Sequence, residues 1–384
     1  MKAITESFNF TSPTQTVFGV GALAGIGEKA AALGQKALIV TDGYLAKTQL
    51  MQRILGLLKD KGVEGVVVGN VVPNPLDKDV QAGVEAYRKA GCDLLVAVGG
   101  GSSIDSGKTI GAIVSNGGRT QDLLDASAVK KGLPPFIAVP TTAGTGSEAT
   151  IYAVITDSGT HEKLILFSPK LLPTVAILDP ELSLTLPAEQ TAFTGLDALT
   201  HAIEAYTTKV SNPISDALAC NAIELVGRYL ERAHRQGTDL EARAGMLLAS
   251  HLAGIAFSNA DLGSVHTMGE VLAGACSIPH GAAMGIFLPY IMEYSLEAAE
   301  EKYAVVAGLL GEKAQGRRGI QRIQALERTL KLPGLASFGI KPAGFEGLAQ
   351  ACKKHVCDPL NPRPIAEAEY LALYQRAFAN EYKI

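Results

Sequence analysis

CDLLVAVGGGSSIDSGKTIGAIVS, residues 92–115, reads as a buried strand that runs through a glycine turn into a helix. The apolar run DLLVAV has strand length and no polar alternation, as expected of a strand covered on both faces. Gly99, Gly100 and Gly101 let the backbone approach a ligand closely, and the helix, read as opening near Asp105, brings free N–H groups and the positive end of its dipole. A pyrophosphate cradle at Gly100, Gly101 and Ser102 fits this pattern. A plain tight turn is the competing reading. Gly107-Lys108-Thr109 looks like the tail of a P-loop, but the GxxxxGK[ST] spacing is absent.

Working outward, PPFIAVPTTAGTGSEAT (134–150) repeats the arrangement: a buried strand ends at Pro140, and Thr141, Thr142, Thr145 and Ser147 follow among glycines. Hydroxyls and free amides at a strand end suit the ligand crevice at the carboxyl edge of a parallel sheet; a solvated loop is the alternative. KALIVTD (36–42) is a further strand, ending in Asp42. A carboxylate there can hold an adenosine ribose and opposes a 2′-phosphate, which favours NAD over NADP; Asp42-Gly43 is also a turn signal. FGVGALAGIG nearly matches a dinucleotide fingerprint, but Ala24 stands where a third glycine belongs, and we read it as a turn feeding a first helix. Asn74 is held between two prolines. Helices over 49–61 and 80–90, with a strand over 174–180, complete an alternating pattern that predicts a doubly wound parallel sheet.

Past Asp179-Pro180 the period-2 runs vanish. Ala/Leu helical patterns take over at 187–208, 213–234, 240–257, 260–275 and 281–297. The fold expected is an α/β dinucleotide-binding domain over 1–183 followed by an all-helical domain over 184–384, with a ligand cleft between them.

Within the helical half, DLGSVHTMGEVLAGACSIPHGAAM (261–284) holds His266 and His280. On one straight helix these would lie roughly 21 Å apart, too far to share a ligand. Pro279 cannot continue a helix interior, so a helix ending near Ala275 and a turn would bring His280 back toward His266. Upstream, Asp197 and His201 in TGLDALTHAIEAY share a helix face at i, i+4. Three imidazoles and one carboxylate suit a borderline divalent metal such as Fe²⁺ or Zn²⁺. Cys352, His355 and Cys357 resemble half of a zinc knuckle with no second half, and we read them as structural or incidental.

The 384 residues carry a net charge of −4 with acids and bases interspersed, so no basic block points to nucleic acid. MKAITESFNF has no apolar run for a signal peptide, and no stretch is long enough to span a bilayer. Five scattered cysteines fit free thiols and a cytoplasmic protein.

FGVGAL, VTD, VPNP, VGGGSSIDSGK, VPTTAGTGSEAT, LDPELSLTLP, TGLDALTHAIEAY, AGIAFSNADLGSVH and PHGAAM together resemble the iron-containing (group III) alcohol dehydrogenases, within the dehydroquinate synthase-like superfamily. The resemblance covers nearly the whole chain. It implies metal ligation by Asp197, His201, His266 and His280, with Fe²⁺ or else Zn²⁺ or Mn²⁺. It implies NAD(P) contacts at Asp42, Asn74, Gly100, Gly101, Ser102, Thr141, Thr142, Thr150, Lys163 and Leu182. The activity implied is metal-assisted hydride transfer between NAD(H) and a small alcohol, aldehyde or ketone, and homodimers are common in the family.

One position departs from the pattern. The family usually has a further histidine four residues after the third ligand, near the substrate and associated with proton transfer; here it is Glu270, one turn from His266. Glu270 could act as general base, orient a ligand, or join the metal. We expect it, with His280, to serve the catalytic step. His161, His234, His251 and His355 match no family position and are read as structural or surface residues. Two rivals stay open: a lyase of the dehydroquinate synthase type, which would use the same fold and NAD, and a non-catalytic metal- and nucleotide-binding homologue, in which Glu270 would mark lost activity.

Overall fold

The computed structural model describes residues 5–384. Two compact units emerge: Thr11–Leu184, and Thr185–Ile384 together with the residues up to Phe10.

The first unit is built on six parallel strands: β1 (Gln15–Phe18), β2 (Lys36–Asp42), β3 (Glu64–Val71), β4 (Leu94–Gly99), β5 (Phe136–Pro140) and, after a hairpin described below, β8 (Val175–Leu178). Their order is β1-β8-β5-β4-β2-β3. The sequence patterns require this layering. Leu38, Val40, Leu95 and Ala97 point to one face, where Val80 and Val84 of α3 (Asp77–Ala90) and Ile104, Ile110 and Ile113 of α4 (Gly101–Asn116) cover them. Ile39, Val96 and Val98 point to the other, against Ile26 of α1 (Ile26–Ala31) and Met51, Ile54 and Leu58 of α2 (Gln49–Lys59). Burying each such side chain contributes roughly 1.5–3 kcal/mol, so the helices are held by both faces of one sheet. The carboxyl ends of β2 and β4 lie side by side, with Val40 opposite Ala97.

Two strands leave this pattern. β6 (Tyr152–Thr156) and β7 (Lys163–Phe167) pair antiparallel as a separate hairpin. The six residues between them are too few for the crossover that parallel pairing needs. Asp157 Oδ1 instead closes a tight turn, accepting from the N–H groups of Gly159 (2.8 Å) and Thr160 (2.9 Å).

The second unit is helical: α5 (Ala188–Thr207), α6 (Pro213–Arg235), α7 (Leu240–Ser258), α8 (Ser264–Ala275), α9 (His280–Leu309), α10 (Gly316–Leu330), α11 (Phe345–Cys352) and α12 (Glu367–Ala379). α5 is buried on nearly all sides from Thr191 onward, the signature of a central helix. α6 opens at Asn212, whose side chain caps Ile214 and Ser215 ahead of Pro213 at the first helical position. α8 ends at Ala275 as the sequence predicts, but starts at Ser264 rather than 260, because Asp261 takes a left-handed conformation (φ 58°). α9 runs well past the predicted 297 and carries its one non-helical residue at Ala299. Among the described residues no helix is long and apolar enough to cross a membrane.

Candidate active site

In the first unit, α4 opens earlier than its sequence suggests. Gly100 is the N-cap, and Gly101 and Ser102 lie in the first turn, so the free N–H groups sit directly at the glycines rather than at Asp105. The threonine loop folds onto this turn. Thr141 N–H donates to the Gly99 carbonyl at 2.9 Å. A Cβ on Gly101 would lie 2.7 Å from Thr145 Cγ2, so only glycine permits this approach. Gly100, Gly101, Ser102, Thr141, Thr142 and Thr145, read from separate stretches, thus form one surface.

Beneath the loop lies Lys108, which the sequence reading noted only as the tail of a P-loop pattern that is not there. Its fully buried ammonium donates to Thr150 O (2.7 Å), Thr150 Oγ1 (2.9 Å) and Tyr152 O (2.7 Å). Burial lowers its pKa to about 8, against the opposing pull of Asp105 and Glu148. The Thr150 hydroxyl is therefore committed to Lys108. Asn74, in a left-handed conformation (φ 56°), and Lys163 meet directly: Lys163 Nζ donates to Asn74 Oδ1 at 2.7 Å and to Thr156 Oγ1 at 3.0 Å. Asp42 spends one oxygen on its own turn, Oδ1 accepting from the N–H groups of Tyr44 (2.8 Å) and Leu45 (2.9 Å). Leu182 packs into the sheet core. The FGVGAL stretch is a turn before α1, as read: Gly21 N–H and Leu23 N–H both donate to the buried Asp179 at 3.1 Å.

In the second unit, Asp197, His201, His266 and His280 come from three helices to one point, each offering a ligand atom within 4.8 Å of the others. α5 supplies Asp197 and His201, α8 supplies His266 in its first turn, and His280 begins α9 directly after Pro279. The turn at Cys276–Pro279 performs the reversal expected of it. Gly281 then sets α9 hard against α5: a Cβ there would lie 2.1 Å from the Phe193 carbonyl oxygen. Asp197 Oδ1 stands 3.4 Å from His280 Nε2 and 3.8 Å from His201 Nε2. Four ligands about 2.1 Å from a shared ion are separated by roughly 3.4 Å at tetrahedral angles, so the spacing fits.

The electrostatics point the same way. Asp197 Oδ1 and His266 Nε2 are buried with no hydrogen-bond partner among the described residues. Buried polar atoms are rarely left so, and a cation is the partner both atoms lack. Burial raises the pKa of Asp197, with the nearby His280 and His266 pulling the other way. Burial favours neutral His266, but the adjacent Glu204 carboxylate outweighs it and raises its pKa.

Glu204 is the second residue the sequence reading missed. Its Oε2 bonds to His266 Nδ1, and its Oε1 accepts from Val265 N–H at 2.7 Å. The bond at Nδ1 leaves Nε2 as the nitrogen that could hold an ion, as in a carboxylate–histidine–metal arrangement. The signal was present: Glu204 follows Asp197 by seven residues and His201 by three, on one face of a helix that is buried almost throughout. His201 is steadied by Phe257, stacked at 4.5 Å between ring centroids.

Glu270 does not belong to the four-residue cluster. Its Oε2 lies 2.9 Å from Nε2 of His355. Burial works against its charge, but the bond from His355 and the nearby imidazoles outweigh it and hold its pKa at about 2. His355, read from sequence as structural or surface, thus has a side chain only 12% exposed and joined to the candidate catalytic carboxylate.

Comparison with known proteins addresses both halves. The family model described as iron-containing alcohol dehydrogenase matches residues 13–180, and that of the C-terminal part of the Fe-containing alcohol dehydrogenase family matches residues 191–378. A 1,3-propanediol dehydrogenase of Citrobacter freundii is 40% identical over 97% of this chain and 99% of its own. An NAD-dependent methanol dehydrogenase of Bacillus methanolicus is 39% identical over 92% of this chain and 96% of its own. The crystal structure of a 1,3-propanediol oxidoreductase superposes with a TM-score of 0.95 at 39% identity, over 97% of this chain and all of that one. Matched along both units and nearly end to end, the chain is an oxidoreductase that belongs to the iron-containing alcohol dehydrogenase family.

Proposed function

We propose that the chain interconverts a small primary or secondary alcohol with its aldehyde or ketone, using NAD(H) and one divalent ion, Fe²⁺ by preference and Zn²⁺ or Mn²⁺ as substitutes. The observation that carries this is the cluster of Asp197, His201, His266 and His280, with two buried ligand atoms that have no hydrogen-bond partner among the described residues. When bound, the ion supplies Lewis acidity and NAD supplies the hydride acceptor.

The protein's part is positional. Asp197, His201, His266 and His280 hold the ion, and Glu204 fixes the ring of His266. Gly100, Gly101 and Ser102 present α4's N-terminus to the pyrophosphate, with Thr141, Thr142 and Thr145 alongside and Thr150 held by Lys108 at the loop's end. Asp42 takes the ribose through Oδ2, the oxygen its turn leaves free, and Asn74, Lys163 and Leu182 complete the cofactor set. Glu270, ionised at neutral pH, accepts the substrate proton, and His280 lines the same site. The division of labour follows the two units: cofactor with the α/β unit, metal with the helical one, with boundaries close to residues 183 and 184. Five free cysteines support a cytoplasmic setting, and a homodimer or higher homo-oligomer accords with the family. The dehydrogenase models and relatives weigh against a lyase, and the complete ligand set weighs against a non-catalytic homologue.

The test is elemental analysis of protein purified without oxygen, with NAD⁺ and NADP⁺ reduction measured on methanol, 1,3-propanediol, glycerol and butanol. Stoichiometric metal and NAD⁺-linked turnover are expected, both lost in Asp197→Ala and His266→Ala. Stoichiometric metal in either variant overturns the ligand set. Equal efficiency with NADP⁺ overturns the role given to Asp42.

A further inference from the structure

His355 lies in the turn after α11, at the far end of the sequence from Glu270, yet it is the only residue among those described with a hydrogen bond to the Glu270 carboxylate. Its own surroundings are tightly built. His355 N–H donates to the Cys352 carbonyl at 3.1 Å, and the His355 carbonyl accepts from Asp358 N–H at 3.1 Å. Asp358 is locked in turn by Lys353 Nζ (2.6 Å) and the Tyr370 hydroxyl (2.8 Å). Lys353 also donates to the Ile365 carbonyl at 2.8 Å. The turn therefore holds the imidazole in place from several sides.

The ring's tautomer follows from its contacts. Cys357 N–H donates to His355 Nδ1 at 3.3 Å, so Nδ1 is an acceptor. The ring proton is then on Nε2, and Nε2–H donates to Glu270 Oε2. A donor fixed on a charged acceptor gives a strong, directional bond. It ties one carboxylate oxygen and leaves Oε1 with no donor among the described residues. Glu270 itself stands on the face of α8 that carries His266, one turn further along.

We propose that His355 is a positioning residue for the reaction: its Nε2–H clamps Glu270 Oε2, fixing the carboxylate so that Oε1 faces the substrate hydroxyl as proton acceptor. The inference rests on the dehydrogenase reading above. It assigns His355 no contact with substrate or metal. A carboxylate free to rotate would spend most of its time misaligned, so loss of the clamp acts on turnover rather than on assembly of the ion site.

Four variants test this: His355→Ala, His355→Gln, Glu270→Gln and the double variant Glu270→Gln/His355→Ala, each assayed for metal content, circular dichroism, kcat and KM. His355→Ala is expected to keep stoichiometric metal and the KM for NAD⁺, while kcat falls roughly tenfold to hundredfold, as for partners that orient site residues. His355→Gln, whose amide can still donate, recovers most of the loss. The double variant is no slower than Glu270→Gln, because the clamp has nothing left to hold. Wild-type kcat in His355→Ala overturns the inference. So does loss of metal in that variant, or multiplicative losses in the double variant. If His355→Ala fails to fold, a kcat in His355→Gln as low as that of Glu270→Gln overturns it as well. Absence of NAD⁺-linked turnover in the unmodified, metal-loaded chain instead sinks the proposed function, and the inference with it.

Discussion

Glu204 and His266, 62 residues apart in the chain, are joined carboxylate to imidazole Nδ1 inside the helical unit, both almost wholly buried. The pairing decides which nitrogen of His266 is left to bind. It also supplies negative charge beside a site whose own donors are one carboxylate and three imidazoles, which favours a divalent cation over none.

Glu204→Gln is expected to weaken metal affinity or activity roughly tenfold to hundredfold while the fold is retained. The amide can still accept from Val265 N–H, so the helix start at Ser264 survives. Competition with a chelator followed by elemental analysis measures the effect; unchanged affinity would remove Glu204 from the site.

Gly281→Ala places a methyl group 2.1 Å from the Phe193 carbonyl oxygen, backbone that cannot swing aside. Overpacking of this kind costs about 1–3 kcal/mol. Because His280 is the neighbouring residue, the helix that moves takes a candidate ligand with it. Lower denaturant midpoints and weaker metal retention should appear together in urea titration and elemental analysis.

Lys108→Met withdraws the donor that serves the carbonyls of Thr150 and Tyr152. Leaving such groups unsatisfied costs about 1–3 kcal/mol, and the loosened loop should raise the KM for NAD⁺. A pH signature separates this from a generic loss. Burial lowers the lysine's folded pKa to about 8 from 10.5, so between these values the unfolded chain holds the proton and the folded one does not. Wild-type stability therefore gains from rising pH across that window, and the variant should lack the gain. Urea titrations at several pH values check the slope.

Glu327→Gln should stabilise the protein at alkaline pH. Glu327 is buried, its Oε2 accepts from the Tyr382 hydroxyl at 2.8 Å, and its Oε1 has no partner among the described residues. Burial raises its pKa to about 8 from 4.5. The folded state thus holds a proton that the unfolded chain releases between pH 4.5 and 8, and stability drains away as pH climbs through that range. Glutamine removes the cost of a buried charge, about 1–3 kcal/mol. The gain over wild type should be visible above pH 8 and vanish near pH 4.5.

Much of the architecture was legible because it is local. KALIVTD is β2 from Lys36 to Asp42, without adjustment: the apolar run Ala37–Val40 is of strand length, carries two β-branched residues and ends at a turn signal. Pro279 marks the break between α8 and α9, where it stands extended (φ −59°, ψ 133°) as the residue before α9, whereas Pro289 is accommodated inside that same helix. The start of α4 was misplaced by four residues. Three glycines look like a loop, but their backbones are free to be helical once Thr142 and Thr145 pack against them. The β6–β7 hairpin was missed because a run such as Lys163–Phe167 does not itself say which way its partner runs.

By itself the sequence determined the helix and strand periods, the glycine and threonine loops at strand ends, and the residue types that can bind a divalent ion. Those depend on spacings within a turn or two of chain, where geometry is nearly fixed. Tertiary structure alone decided that Glu204 holds His266, that Lys108 lies beneath the threonine loop, and that His355 reaches Glu270 from 85 residues away. In each case a buried charged or polar group had to find its partner inside the fold. Which partner it finds depends on how whole helices pack, and no periodicity in the chain encodes that choice.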